Sequence, residues 1–396
     1  MNNLWVALLI LGLVSMPAFS QNAAEEDYYD IRDVDIDIDE EQGALVQEAL
    51  DSNSNDEKIR LLESFVQQYP EDYLVDYVHL LLQGLYLEKQ SWSDSVKYGK
   101  LLVEMVPDDL EVLHNLTKGL EGTQDWAALL PHLLKTKSYA KKAATVEPPS
   151  EDLGEDELAA FTGQRDYAQG IVDYVEYSLF TSGVKQADPG SKLQYLDALL
   201  AQYPSSKFKS QANDQIVMTS RQTGNMAKMA QAMKASLETN DRNEEYLYTL
   251  AELSLSSQQI VEAHGYAQRL LDVLASKPKP ENVGEENWLS HKARFGGFAN
   301  LIMGKVLVVE ADNKDKNKFR EARVHLLEAV DPIKAQGGPN YQALSYFLGI
   351  CYIKLDIGGD NIDKALFWMD AAAKTEGSLK EAAGQAVASI QAAINK

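Results

Sequence analysis

Six histidines, a single cysteine, two glycines ahead of a lysine and a run of methionines are the residues with chemical potential in this 396-residue chain. His79, His114, His132, His264, His291 and His325 are scattered. None is followed by glutamate, and none forms the paired-histidine helix motif of zinc peptidases. No Cys/His cluster is spaced for structural zinc, so no metal site is expected. His264 and His325 fall among apolar residues, where a packed imidazole is the expected role. Cys351 lies in Gly349-Ile350-Cys351-Tyr352-Ile353. Nothing beside it would lower its pKa, so an inert buried thiol is expected rather than a nucleophile. There is no Gly-x-Ser-x-Gly elbow. Gly297 and Gly304-Lys305-Val306 imitate a phosphate loop, but six residues separate the glycines where four are needed. Val306 also stands where a hydroxyl must hold magnesium. Met226, Met229 and Met233, with Met218 nearby, recur at helical spacing. That suits adaptable core packing, with a plastic binding surface as the alternative. Asn115-Leu116-Thr117 is a glycosylation sequon inside a helical pattern, and it is discounted. No catalytic set, metal or cofactor follows from these residues, and the chain reads as a non-enzyme.

The elements that carry these residues are helical. From about Ala44 onward apolar residues recur at the 3.6-residue period, and no stretch shows strands with hairpin turns. Polar breaks fall near 145–157 and 276–287, which carry prolines, and near 310–318, and read as surface loops. Small, aromatic and apolar residues recur in phase. One stretch runs from Trp92 through Ser95, Gly99 and Leu102 to Val106-Pro107. Another has Leu250-Ala251 and Ser254, then Ile260, Ala263, Ala267 and Leu270. A third has Met303-Gly304 and Leu307, then Phe319, Ala322, Leu326 and Ala329. The last has Leu344, Leu348-Gly349 and Tyr352, then Ala365, Met369 and Ala372. Gln-Tyr-Pro ends two further helices, at Tyr69-Pro70 and Tyr203-Pro204.

This pattern resembles the tetratricopeptide repeat (TPR), in which small residues let two antiparallel helices approach and proline resets the chain. The Gln-Tyr-Pro endings resemble repeats of periplasmic TPR proteins. The usual tryptophan of the first signature site is Leu344 in the last unit. The resemblance covers most of residues 45–396 and implies an all-α fold: an α-solenoid of antiparallel helix pairs wound as a right-handed superhelix. It also implies a concave face, lined by the first helix of each pair, that binds protein segments. Carrying the phase across, the groove residues are Tyr77, Leu80, Glu111, His114, Lys118, Glu245, Tyr248, Glu252, Gln342 and Ser345.

Two N-terminal zones precede the repeats. Leu4–Val14 is an apolar run too short to span a bilayer, followed by Pro17 and by Ala18-Phe19-Ser20. Residues 1–20 therefore read as a signal peptide cleaved after Ser20, placing the protein in the periplasm or outside the cell, although no Lys or Arg precedes Leu4. No membrane insertion is expected after cleavage. Residues 21–44 carry ten carboxylates against one basic residue, Arg32, and read as a disordered acidic arm. Within it Val34-Asp35-Ile36-Asp37-Ile38-Asp39 alternates with period two, as a strand added to a partner's sheet would.

The formal charge is -23, which disfavours nucleic acid and anionic membrane surfaces and suits basic partner segments. The expected function is a non-catalytic protein–protein interaction scaffold of the cell envelope. The alternative is an exported glycan- or small-molecule-binding protein with TPR units in a helical fold. That alternative needs an aromatic platform, and the 19 tyrosines are scattered along the sequence.

Overall fold

The computed structural model describes residues 30–148, 154–355 and 360–394, and the expected signal segment lies outside them. Eighteen helices are described. They are α1 (Glu41–Asp51), α2 (Asn55–Gln68), α3 (Val75–Glu88), α4 (Trp92–Met105), α5 (Leu110–Thr123) and α6 (Trp126–Ala144). Then come α7 (Glu155–Lys185), α8 (Pro189–Gln202), α9 (Lys209–Gln222), α10 (Met226–Ser236), α11 (Glu244–Ser256) and α12 (Ile260–Ser276). The last are α13 (Glu285–Glu310), α14 (Lys316–Glu328), α15 (Val330–Gln336), α16 (Gly338–Lys354), α17 (Asp360–Lys374) and α18 (Lys380–Ile394). No strand occurs among the described residues. The chain divides into two compact units, Met1–Ala212 and Asn213–Lys396, with α9 crossing the boundary.

Many helix starts are fixed by short polar side chains. Ser54, Asp109, Asp125, Asp188, Asn225, Asn243 and Asp315 each accept a hydrogen bond from a first-turn N–H. Each such cap contributes about 1 kcal/mol. The turns within the pairs repeat one geometry. Gln90, Gln124, Gly224 and Gln258 are all left-handed. The residue after each donates its N–H to a carbonyl five positions back: Ser91 to Tyr86, Asp125 to Leu120, Asn225 to Ser220 and Gln259 to Ser254. This is the six-to-one bond that closes a helix and reverses the chain. Gln90 and Gln124 lie 34 positions apart, as do Gly224 and Gln258, which is the period of the resembled repeat.

Packing within each unit is nearly one-dimensional. Helices touch their neighbours along the chain, and the first helices of successive pairs also touch: α3 with α5, α5 with α7, α11 with α13 and α13 with α16. This is the contact pattern of a solenoid, where each repeat buries its apolar face on the next. The in-phase positions are the buried ones. Leu250, Ala251, Ser254, Ala263, Ala267 and Leu270 line the α11–α12 seam. Phe319, Ala322, Leu326, Leu344, Leu348, Tyr352, Ala365 and Met369 share one core in the second unit. Gly304 is required by close approach: a Cβ there would stand 2.4 Å from Leu326 Cγ. Tyr203, the Gln-Tyr-Pro tyrosine, caps α8 and donates its hydroxyl to the Val172 carbonyl of α7 at 2.9 Å.

Three features differ from the sequence reading. Two helices, α7 and α13, run to 31 and 26 residues, well beyond a repeat helix. The methionine stripe splits: Met229 and Met233 are buried, while Met218 and Met226 are exposed. The expected disordered arm needs correction from residue 30 onward, where the chain turns at Ile31-Arg32 and packs on the first unit. Ile31 is 1% exposed, and Val34 and Ile36 lie against the core of α1, α2 and α3. The period-two alternation thus turns Val34 and Ile36 down onto helices and Asp33, Asp35 and Asp37 outward, without a sheet, while Ile38 is exposed.

Candidate interaction faces

In the first unit α5 and α7 gather a polar row with Arg32. Asp109 holds the start of α5 through Val112 N–H at 2.9 Å and also receives both arms of Arg32, at 2.7 and 3.1 Å. Arg32 reaches Glu111 as well, at 2.8 Å. Burial alone would lower the Arg32 pKa, but the hydrogen bonds and charges of Asp109 and Glu111 outweigh it and raise the pKa. One turn along, His114 sits edge-on to Tyr174, with ring centres 4.8 Å apart, and faces Tyr167. Burial pushes the His114 pKa down to about 3, so it is a neutral packed ring. Tyr174 and Ser178 both donate to Glu121, at 2.8 and 3.0 Å, tying α7 to α5. Lys118 is half-buried, and burial lowers its pKa against the opposing charge of Glu111.

In the second unit α13 carries Trp288, His291, Phe295 and Phe298 on one side. Trp288 stacks on His291 at 5.4 Å, His291 meets Phe295 at 4.8 Å, and Phe298 stacks on Tyr248 of α11 at 4.6 Å. Charged pairs flank the row. Glu244 is held by Lys277 at 2.7 Å and approached by His291 at 3.6 Å, and Lys305 lies 3.5 Å from Glu252. Burial, with Glu252 nearby, raises the Tyr248 pKa to about 12. Tyr248 and Phe298 stay half-buried, so the row offers apolar area with polar edges.

The ten expected groove residues divide by burial. Glu111, Lys118, Tyr77, Glu245, Tyr248 and Glu252 keep exposed or half-exposed surface. Four are corrected because the structure buries them. Leu80 lies under Ile31. His114 lies under Tyr174. The Gln342 amide N–H groups donate to the Thr375 and Ala372 carbonyls at 2.6 and 3.3 Å, and its carbonyl accepts the Leu379 N–H, so it is a tie between helices. Ser345 is fully buried. The sequence reading missed the aromatic row, whose signal was available: positions 288, 291, 295 and 298 follow the three-four-three spacing of one helix face. It also missed Arg32 as a contact, because ten neighbouring carboxylates masked one cation.

Among the described residues no helix is long and apolar enough to cross a membrane, and no group of three or more His, Cys, Asp or Glu could hold a metal ion. No family model matches the chain, and no curated protein does. Among solved structures, the chain is similar to the TPR domain of P58(IPK) at 10% identity. That match covers 89% of this chain and 97% of the other, with a TM-score of 0.26. It is also similar to yeast Tom70 at 12% identity, covering 90% and 96%, with a TM-score of 0.21. Scores this low do not define an arrangement of helices, which rests on the pairing described above.

Proposed function

We propose that this chain is a non-catalytic protein–protein interaction scaffold of the cell envelope, capturing extended partner segments on the inner faces of its first helices. The observation that carries the reading is the α11–α13 face. There Tyr248 and Phe298 present half-buried aromatic area beside Glu252 and Lys305, on rigid helices rather than loops. Aromatic anchors with charged edges are the composition of protein-binding surfaces. The charge of -23 favours basic segments. Glu245 is available to such a segment, since its pair with Arg221 is exposed on both sides and holds weakly. The apolar run of residues 4–14 followed by Ala18-Phe19-Ser20 supports the envelope location. The test is affinity capture from an envelope fraction with the native chain and with Tyr248→Ala/Glu252→Lys. A defined partner retained by the native chain and lost from the variant supports the reading; equal retention refutes the site, and no protein partner with either refutes the scaffold.

A further inference from the structure

The seat of Ile31 and Arg32 has the parts of a peptide-binding site. Ile31 fills an apolar socket made by Leu80 of α3, Leu102 of α4 and Val112 of α5, with Val103 and Val106 at its rim. Directly beside it, Asp109 and Glu111 take the guanidinium of Arg32 in a forked arrangement. A fork of this kind selects arginine over lysine by geometry.

We propose that this seat takes, from a partner protein, a segment that turns at a branched apolar residue followed by an arginine, and that residues 30–36 are its built-in occupant. The proposal rests on the scaffold reading above and names the partner chemistry for the first unit. Three observations support it. The occupant turns at Ile31-Arg32, packs Ile31 against α3, α4 and α5, and engages Glu111, one of the groove positions. The backbone–backbone hydrogen bonds of the segment close within it and at the start of α1: Asp33 N–H to the Asp30 carbonyl, Glu40 N–H to that of Asp37, and Ala44 N–H to that of Glu40. Tyr73 adds one side-chain bond to the Asp35 carbonyl, at 2.9 Å. The segment is thus held by side chains, and it can leave without tearing a ladder. Finally, its charge is wrong for its host. Asp33, Asp35, Asp37 and Asp39 turn outward on a chain whose net charge is -23, so an external segment without those carboxylates gains the same contacts with less repulsion.

The test uses the full mature chain with Asp33→Cys carrying an environment-sensitive dye; Cys351 is buried and stays unlabelled in the native protein. The probe is a synthetic decapeptide with Ile-Arg at its centre and neutral polar residues elsewhere, against the same peptide with Ile-Glu. The Ile-Arg peptide is expected to release the dye-labelled arm, while Ile-Glu leaves it in place. It should also bind the Ile31→Ser/Arg32→Ser chain at least tenfold more tightly than the native chain. Asp109→Asn, which keeps the helix cap, should abolish that binding. No release of the arm by either peptide overturns the proposal, as does equal affinity of native and variant chains. Unfolding of the first unit in the double variant does so too, because the segment would then be core. A partner that cross-links at Tyr248 while the peptide fails here sinks this proposal alone; failure at both faces sinks the scaffold reading as well.

Discussion

Gly304 and Leu326 give the sharpest test of the helix pairing. A Cβ at 304 would lie 2.4 Å from Leu326 Cγ and 2.5 Å from its Cδ2, and Leu326 has no exposed surface with which to retreat. Gly304→Val therefore sets two effects against each other. Replacing a mid-helix glycine by valine gains a few tenths of a kcal/mol in propensity, about 0.4. Forcing extra methyl groups into a packed seam costs about 1–3 kcal/mol, and valine adds three carbons where one already clashes. The steric effect wins, and the net loss is about 2 kcal/mol. Leu326→Ala alone costs about 3 kcal/mol, from lost burial and the space left behind. In the double variant the valine fills that space, so the combined loss falls about 1–2 kcal/mol short of the sum. The assay is native-state amide hydrogen exchange over α13 and α14. A loss of about 2 kcal/mol reads there as roughly thirtyfold faster exchange at the most protected amides. If Gly304→Val is neutral or stabilising, or if the two losses add within about 0.5 kcal/mol, the α13–α14 approach described above is wrong.

Other outcomes follow from single residues. Gly224 is left-handed at φ +69, so Gly224→Ala should cost about 1 kcal/mol in urea unfolding although nothing lies within 4 Å of its Cβ position. The His114 pKa is depressed to about 3, so the folded state binds fewer protons than the unfolded state between that value and about 6.5. Its contribution is complete above pH 6.5 and is lost as pH falls through that window. His114→Gln should lose stability less steeply between pH 6.5 and 4.5, and an unchanged slope in urea midpoints would show that the ring is solvated. Burial pushes the Cys351 thiol up to about 12, so maleimide should label it at neutral pH only as fast as the second unit opens. Rapid labelling of the native chain would contradict its burial. N-terminal sequencing of the protein purified from its native host should give Gln21 as the first residue, and Met1 would contradict the signal reading.

How legible the molecule was depended on how local each interaction is. The helix pairs were legible because a close seam needs small residues at fixed spacing, and Gly304, Gly349, Ala263 and Ala365 stand where the contacts demand them. The left-handed Gln90, Gln124 and Gln258 were not legible, since glutamine is no marker for that conformation and its conformation comes from the turn it closes. Helices α7 and α13 outran the repeat pattern because their N-terminal turns are not confined by a partner at every position; much of Glu155–Ala160 is exposed. The groove was half legible. Phase alone places Leu80, Gln342 and Ser345 on first helices, but whether a side chain faces solvent depends on segments distant in sequence. Ile31 covers Leu80, and Thr375 captures Gln342. The arm shows the same limit. Its composition argues for a solvated chain, and one Ile-Arg pair meeting a socket 77 residues away reverses that from residue 30 onward.

The measurement that bears most directly on the central claim is site-specific photo-cross-linking in the native host. A photoreactive phenylalanine analogue is placed at Tyr248 of α11, and at Val261, which is 84% exposed on the second helix of the same pair. The account predicts a defined protein adduct from position 248, weakened by an excess of basic peptide, and none from position 261. Adducts of equal yield from both positions, or from position 261 alone, would contradict the claim that the first helices form the binding face.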